Sequence, residues 1–279
     1  MALKLMYITN DPQIAVLAER CGVDRIFLDM EYLGKGERQP GDTVKSNHTV
    51  EDIKTIKPLL TKSEVLVRVN PMTEKIDNFY GSKAEIDDVV AAGADVIMLP
   101  MAKTVDEVRK FSEYVGNRTK TVLLLETKEA VEKLNEILEL HAVDEIHIGL
   151  NDLHLSLNKK FMFELLADGT VEAICNKISS YNIPYGFGGI ARLGYGMLPA
   201  EHIICEHYRL GSSAAILSRS FANVNRLSDY REIVNVFEKE TEKIRLYEAT
   251  LGEYTAKDFE NNRLKTVMLV NEICDAIGG

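Results

Sequence analysis

Short apolar runs alternate with longer amphipathic stretches along the chain. The runs LKLMYI (3–8), DRIFLDME (24–31), EVLVRVN (64–70), DVIMLP (95–100), TVLLLE (121–126), DEIHIG (144–149), IPYGFGG (183–189) and SAAILS (213–218) carry apolar, often β-branched residues on consecutive positions. That is the signature of strands covered on both faces, as in a parallel sheet. Helical spacing lies between them at 12–21, 50–61, 83–92, 104–115, 128–140, 161–181 and 199–209, and continues at 229–246 and about 256–277. Strands regularly separated by helices predict an α/β fold, and the count matches a (β/α)8 TIM barrel with an extra C-terminal helical segment better than a doubly wound open sheet. The barrel is expected over residues 1–222, with 223–279 forming helices that pack on it or on a neighbouring subunit.

Helix starts support this phase. Thr49-Val50-Glu51-Asp52 fits a capping box, and Thr127 can cap the helix that carries Ala130, Leu134 and Leu138. Both signals place the preceding residues at the carboxyl ends of strands, where the loops of a TIM barrel carry chemistry.

Composition narrows the possible partners. A net charge of -10 and the lack of any Lys/Arg cluster exclude a phosphate-backbone footprint, so no nucleic-acid partner is expected. Apolar runs are too short to span a bilayer and the N-terminus lacks signal-peptide features, so a cytoplasmic protein without membrane contact is expected. Cys21, Cys175, Cys205 and Cys274 show no paired spacing and read as reduced packing residues.

Polar residues at the predicted strand ends are the candidate chemistry. They are Asp29 and Glu31, Arg68 and Asn70, Glu126, and Asn151 with Asp152. Glu126 and Asp152 end consecutive βα units. As carboxylates without Cys or His partners they suit a hard divalent cation such as Mg2+ or Mn2+, although a helix cap and an Asx-turn would also account for them singly. Arg68 could neutralise an internal carboxylate or bind a substrate carboxylate or enolate. His48, in the long loop after the second strand, is a candidate proton shuttle or a helix-flanking surface histidine; Lys35, Arg38 and Gln39 in the same loop could contact an anionic substrate. Gly188 and Gly189 after the seventh strand, with Ser212 entering the eighth, could expose amides to an anion, so a phosphorylated substrate stays open, as does simple tight turning. Arg192 and Arg219 could assist. His154 could reach the site, whereas His147 reads as a core histidine.

FLDMEY, LVRVNP, VIMLPM, LLLET and IGLNDLHLSL, in this order and spacing, resemble the HpcH/HpaI aldolase/citrate lyase β-subunit family of the phosphoenolpyruvate/pyruvate barrel superfamily. The resemblance implies that Glu126 and Asp152 bind Mg2+ or Mn2+, that Arg68 contacts the keto or enolate oxygen, and that backbone amides from Gly149 to Asn151 and Asp152 bind the substrate carboxylate. It also implies a homo-oligomer. Two positions depart from the pyruvate aldolases of the family. Tyr32 stands where they carry a histidine that shuttles protons with the Asp, and Leu124 stands where a Gln commonly precedes the metal Glu. Asp29, Glu31, Arg68, His48 and Tyr32 are therefore the candidate catalytic residues.

The expected activity is that of a divalent-metal-dependent carbon–carbon lyase, cleaving a 2-oxo acid to a pyruvate-type enolate and an aldehyde. An acyl-CoA ester lyase of the citrate lyase β type, and a non-catalytic anion-binding or regulatory barrel, are the alternatives.

Overall fold

The computed structural model describes residues 2–38, 46–218, 221–222 and 230–278. Its strands are β1 (Lys4–Ile8), β2 (Arg25–Asp29), β3 (Glu64–Arg68), β4 (Val96–Leu99), β5 (Lys120–Leu125), β6 (Glu145–Ile148), β7 (Tyr185–Ile190) and β8 (Ala214–Leu217). They close into a parallel barrel in chain order, with β8 returning to β1. Helices lie outside the barrel, and the main core fills the space between them and the sheet. The predicted TIM barrel is the observed fold.

Alternation along each strand sorts the barrel interior into layers. At the amino ends of the strands an ionic floor forms around Arg25, which is 1% exposed and reaches Glu64 at 2.8 Å and Glu145 at 2.6 Å. Lys4 at 3.3 Å from Glu145 and Lys120 at 2.5 Å from Glu64 complete it. Above it Met6, Phe27, Leu66, Met98, Val122 and Leu124 make a separate apolar plug. Asp29 and Arg68, register partners at the carboxyl ends of β2 and β3, stand above that plug. The apolar layer insulates one set of charges from the other, so those above it can be arranged for chemistry.

The wall is irregular at β7, where the pairing with β8 shifts register between Gly186 and Gly189. Gly188 has φ +52, and a Cβ there would come within 2.8 Å of Leu150. His147 reaches the Gly188 carbonyl through Nε2 at 3.2 Å, while burial pushes its imidazole down to about 4. The uncharged ring thus donates and pins the irregular strand from inside.

Capping chemistry holds where the sequence placed it. Thr49 and Asp52 form a capping box, and Thr127 accepts from the amide of Ala130. The long helices predicted at 128–140 and 161–181 are instead broken. The first gives Lys128–Glu132 and Leu134–Glu139; the second leaves helices Glu164–Ala167 and Thr170–Ser179, with Gly169 at φ +83 between them. A helix Leu150–Ser156 follows β6 directly, outside the stretches of helical spacing in the sequence. Helix Tyr230–Leu251 buries Phe237 against Tyr7, with ring centroids 4.9 Å apart, so it seals the outside of β1. Helix Ala256–Gly278 packs against helices Ala200–Arg209 and Glu164–Ala167. No helix among the described residues is long and apolar enough to cross a membrane. The four cysteines are free thiols.

A further tie aligns the loop after β2. Buried Asn70, two residues past β3, donates its amide to Glu85 Oε2 at 3.0 Å and its Nδ2 to Oε1 at 2.6 Å. Its Oδ1 accepts from the amides of Tyr32 at 2.9 Å and Leu33 at 3.0 Å. Burial pushes the Glu85 carboxyl up to about 7 against the help of both Asn70 donors.

Two stability measurements follow. Arg25→Met leaves Glu64 and Glu145 without their shared cation and should cost about 3 kcal/mol in urea unfolding. Because the Glu85 carboxyl rises on folding, the fold prefers it protonated; its favourable contribution is complete below the unfolded value of 4.5 and is lost as pH climbs through about 7. Urea unfolding at pH 5 and pH 8 should therefore show Glu85→Gln gaining on wild type as pH rises, by on the order of 3 kcal/mol. A pH-independent difference would remove Glu85 as the titrating group.

Candidate active site

The carboxyl end of the barrel opens into a cavity of about 540 Å3. On one side stand Arg68, Lys35, Glu126, Asn151 and Asp152. Arg68 closes β3, and its Nε and Nη2 donate to the two oxygens of Asp29, each at 2.9 Å. Nη2 also lies 3.4 Å from Glu31, and the guanidinium carbon sits 5.7 Å from the ring centre of Phe27. Two-point pairing over an apolar ring fixes the orientation of the guanidinium. Burial opposes its charge, but Asp29 and Glu31 outweigh burial and hold its proton far more tightly than usual. Burial likewise pushes Asp29 upward, and Arg68 with Lys35 overcomes it, leaving that carboxyl well below the ordinary carboxylate range.

Lys35 is the second cation of this cluster. It is 2% exposed, donates Nζ to Asp29 Oδ2 at 2.6 Å, and lies 3.9 Å from Glu31 Oε2. Its place in the first turn of the short helix Lys35–Arg38 folds the chain back so that a side chain from the loop joins the strand-end charges.

Glu126 follows β5 directly and is 2% exposed. The amide of Met101 donates to its Oε1 at 3.1 Å. Burial pushes its carboxyl up to about 8, with Asp152 and Glu31 adding to the rise and Arg68 opposing it. The Asp152 contribution places the two acids in each other's field. Asp152 comes from the first turn of helix Leu150–Ser156, not from the strand itself. Gly149, between β6 and that helix, makes the pairing possible: a Cβ there would fall 2.8 Å from Glu126 Oε2 and 2.9 Å from Glu126 Cβ. The donor set fits a hard divalent cation that keeps positions for water and substrate, because it offers carboxylate oxygens only. Among the described residues no group of three or more His, Cys, Asp or Glu is placed to hold a metal ion, so the protein donors here are the two carboxylates alone.

Several expected contributors lie elsewhere. His48 accepts from the Asp29 amide through Nδ1 at 2.9 Å, which makes it a cap on β2, and it does not line the cavity. Tyr32 is 51% exposed and donates its hydroxyl to the Asn78 carbonyl at 2.9 Å, so its phenol points along the rim. The Gly149 amide is committed to the Leu125 carbonyl at 3.0 Å and is not offered to an anion. Gly188 and Gly189 lie within β7 and line the cavity. Ser212, however, precedes β8 and belongs to the opposite end of the barrel, where its Oγ meets His207 Nδ1 at 2.7 Å and its amide donates to the His207 carbonyl at 2.9 Å. The anion site expected across these three residues does not assemble, because a residue entering a parallel strand and one leaving its neighbour stand at opposite ends of the sheet. His154 turns its Nδ1 to the Leu150 carbonyl at 3.2 Å, and Arg192 stacks over Tyr195 at 4.5 Å; neither lines the cavity. Arg219, Gln39 and the side chain of Arg38 lie outside the described residues.

Comparison with known proteins gives the family and the fold. The family model for HpcH/HpaI aldolase/citrate lyase matches residues 4–164. Among solved structures, an HpcH/HpaI aldolase from Desulfitobacterium hafniense DCB-2 is similar over 78% of this chain and 86% of that one, with 16% identity and a TM-score of 0.57. An HpcH/HpaI aldolase/citrate lyase family protein from Burkholderia cenocepacia J2315 is similar over 88% of this chain and 95% of that one, with 13% identity and a TM-score of 0.61. At these identities the two structures support the fold alone. No curated protein matches the chain. Since the family model covers more than half of the 279 residues, the chain belongs to the HpcH/HpaI aldolase/citrate lyase family, and its activity is of the lyase or aldolase type on small molecules.

Proposed function

We propose that the protein is a divalent-metal-dependent carbon–carbon lyase that cleaves or forms a 4-hydroxy-2-oxo acid through a pyruvate-type enolate. The observation that carries this reading is one cavity holding both an orientation-locked guanidinium, Arg68 on Asp29, and an acidic pair, Glu126 with Asp152. In the cleavage direction the 4-hydroxyl gives up its proton and the C3–C4 bond breaks. The bonding pair passes into the C2 carbonyl as an enolate, C4 departs as the aldehyde carbon, and C3 then takes a proton. Glu126 and Asp152 would hold Mg2+ or Mn2+, which would supply Lewis-acid polarisation of the keto group. Arg68 stabilises the charge that develops on the enolate oxygen without having to reorganise. Asn151, beside Asp152 in the first turn of its helix, is assigned to the substrate carboxylate.

Proton transfer needs a group near Arg68. With Tyr32 and His48 engaged outside the cavity, we assign this work to the buried Asp29–Lys35 pair and Glu31. Lys35 Nζ lies 2.6 Å from Asp29 and 3.9 Å from Glu31, so Glu31 can take the proton that the 4-hydroxyl gives up and Lys35 can deliver one to C3, the proton on Glu31 then restoring Lys35.

With Mn2+ and a panel of 4-hydroxy-2-oxo acids, the protein should release a 2-oxo acid, measured by coupled reduction. Asp152→Ala should lower turnover by about 10²–10³-fold, and both Asp152→Ala and Glu126→Gln should weaken Mn2+ binding, followed by EPR, by at least about tenfold. Full activity in Asp152→Ala would falsify the metal assignment. Turnover of CoA thioesters but not of hydroxy-oxo acids would replace the reading with an acyl-CoA ester lyase. Lys35→Met should reduce kcat by about 10²–10⁴-fold while leaving Mn2+ affinity close to wild type.

A further inference from the structure

The cavity is divided by chemistry. Its charged groups stand on the sector that runs from β2 through β3 and β5 to the start of the helix after β6. The remaining sector presents Phe161, Met162, Phe163, Met197, Leu198 and Ile203, with Ser218 just past β8 as its polar member. Phe161 and Phe163 are each 7% exposed and pack edge to face with centroids 5.3 Å apart, which makes a firm wall. Met197 is 62% exposed at the lip, where an unbranched thioether can adjust to what enters. Among the described residues, the Lys and Arg side chains on the cavity are Lys35 and Arg68, and both belong to the charged sector.

A 2-oxo acid held by its carboxylate and keto oxygen on the charged side has one direction left for the carbons beyond C3, toward these six apolar side chains. The volume of about 540 Å3 is that of a pocket for a ligand much larger than a three-carbon acid. Resting on the lyase reading above, we infer that the apolar sector is the acceptor subsite and that the aldehyde partner carries an apolar, unphosphorylated chain or ring. A phosphate or a second carboxylate at that end would be desolvated against Phe161 and Phe163, with no cation among the described residues of this sector to receive it. An alkyl chain would gain from each methylene it buries.

The test uses the full-length Mn2+-loaded protein and 2-oxo acids that lack the 4-hydroxyl, so that they bind without being cleaved. Calorimetric titration with pyruvate, 2-oxopentanoate, 2-oxohexanoate and 2-oxooctanoate should show affinity rising by about three- to fourfold per added methylene until the wall is covered. 2-Oxooctanedioate, of equal length but ending in a carboxylate, should bind at least about tenfold more weakly than 2-oxooctanoate. Met197→Lys, at an exposed position, should keep pyruvate affinity while narrowing or reversing that preference. Pyruvate binding with no gain along the series, or tighter binding of the dicarboxylate, overturns the subsite and leaves the lyase reading standing. Failure of every member, pyruvate included, overturns the lyase reading and the subsite together.

Discussion

The paired contact between Arg68 and Asp29 is the constraint on which the rest of the mouth depends. Both are the last residues of neighbouring strands, in direct register, and each would be costly to bury alone. Together they satisfy the Nε and Nη2 donors of the guanidinium and both oxygens of the carboxylate. Lys35 on Asp29 and Glu31 on Arg68 add one charge of each sign, so the cluster is a network in which removing any member leaves another uncompensated. A cation held this firmly can act on a developing enolate without moving.

That network is possible because of what lies beneath it. An apolar layer separates it from the ionic floor around Arg25, and the two sets of charges are satisfied locally, each within its own layer. Irregularity is confined to the side where room is needed. The shifted register of β7, held by His147 on the Gly188 carbonyl, lies beside the apolar sector of the cavity, and Gly149 gives Glu126 space next to Asp152. Small residues at these two points do for cavity shape what ion pairs do for orientation.

On the proposed reading, the two halves of the cavity divide the labour of a carbon–carbon lyase. On that reading the charged half deals with atoms common to every 2-oxo acid, and its paired groups hold a fixed orientation. The apolar half would then meet the variable part of the substrate, and its lip carries an adaptable methionine. Within a family whose members share the barrel, such a division lets specificity change in the loops after β6 and β7 without disturbing the strand-end acids.

Barrel architecture was legible in the chain because alternation of apolar runs and amphipathic stretches is a local property, repeated often enough to tolerate errors at single boundaries. Arg68 and Glu126 were legible for a related reason: a polar residue that closes an apolar strand must face the mouth, whatever the loops do. The breaks in the helices at 128–140 and 161–181 were not, since periodicity continues across a single turn residue. The positions of Lys35, His48, Tyr32 and Ser212 were decided only in three dimensions. Lys35 turns inward because Asp29 and Glu31 attract it, while His48 is drawn to the amide of Asp29 at the end of β2. Ser212 sits at the far end because a parallel strand begins where its neighbours also begin, and which loop side chains share a cavity depends on chain paths that no spacing in the sequence encodes.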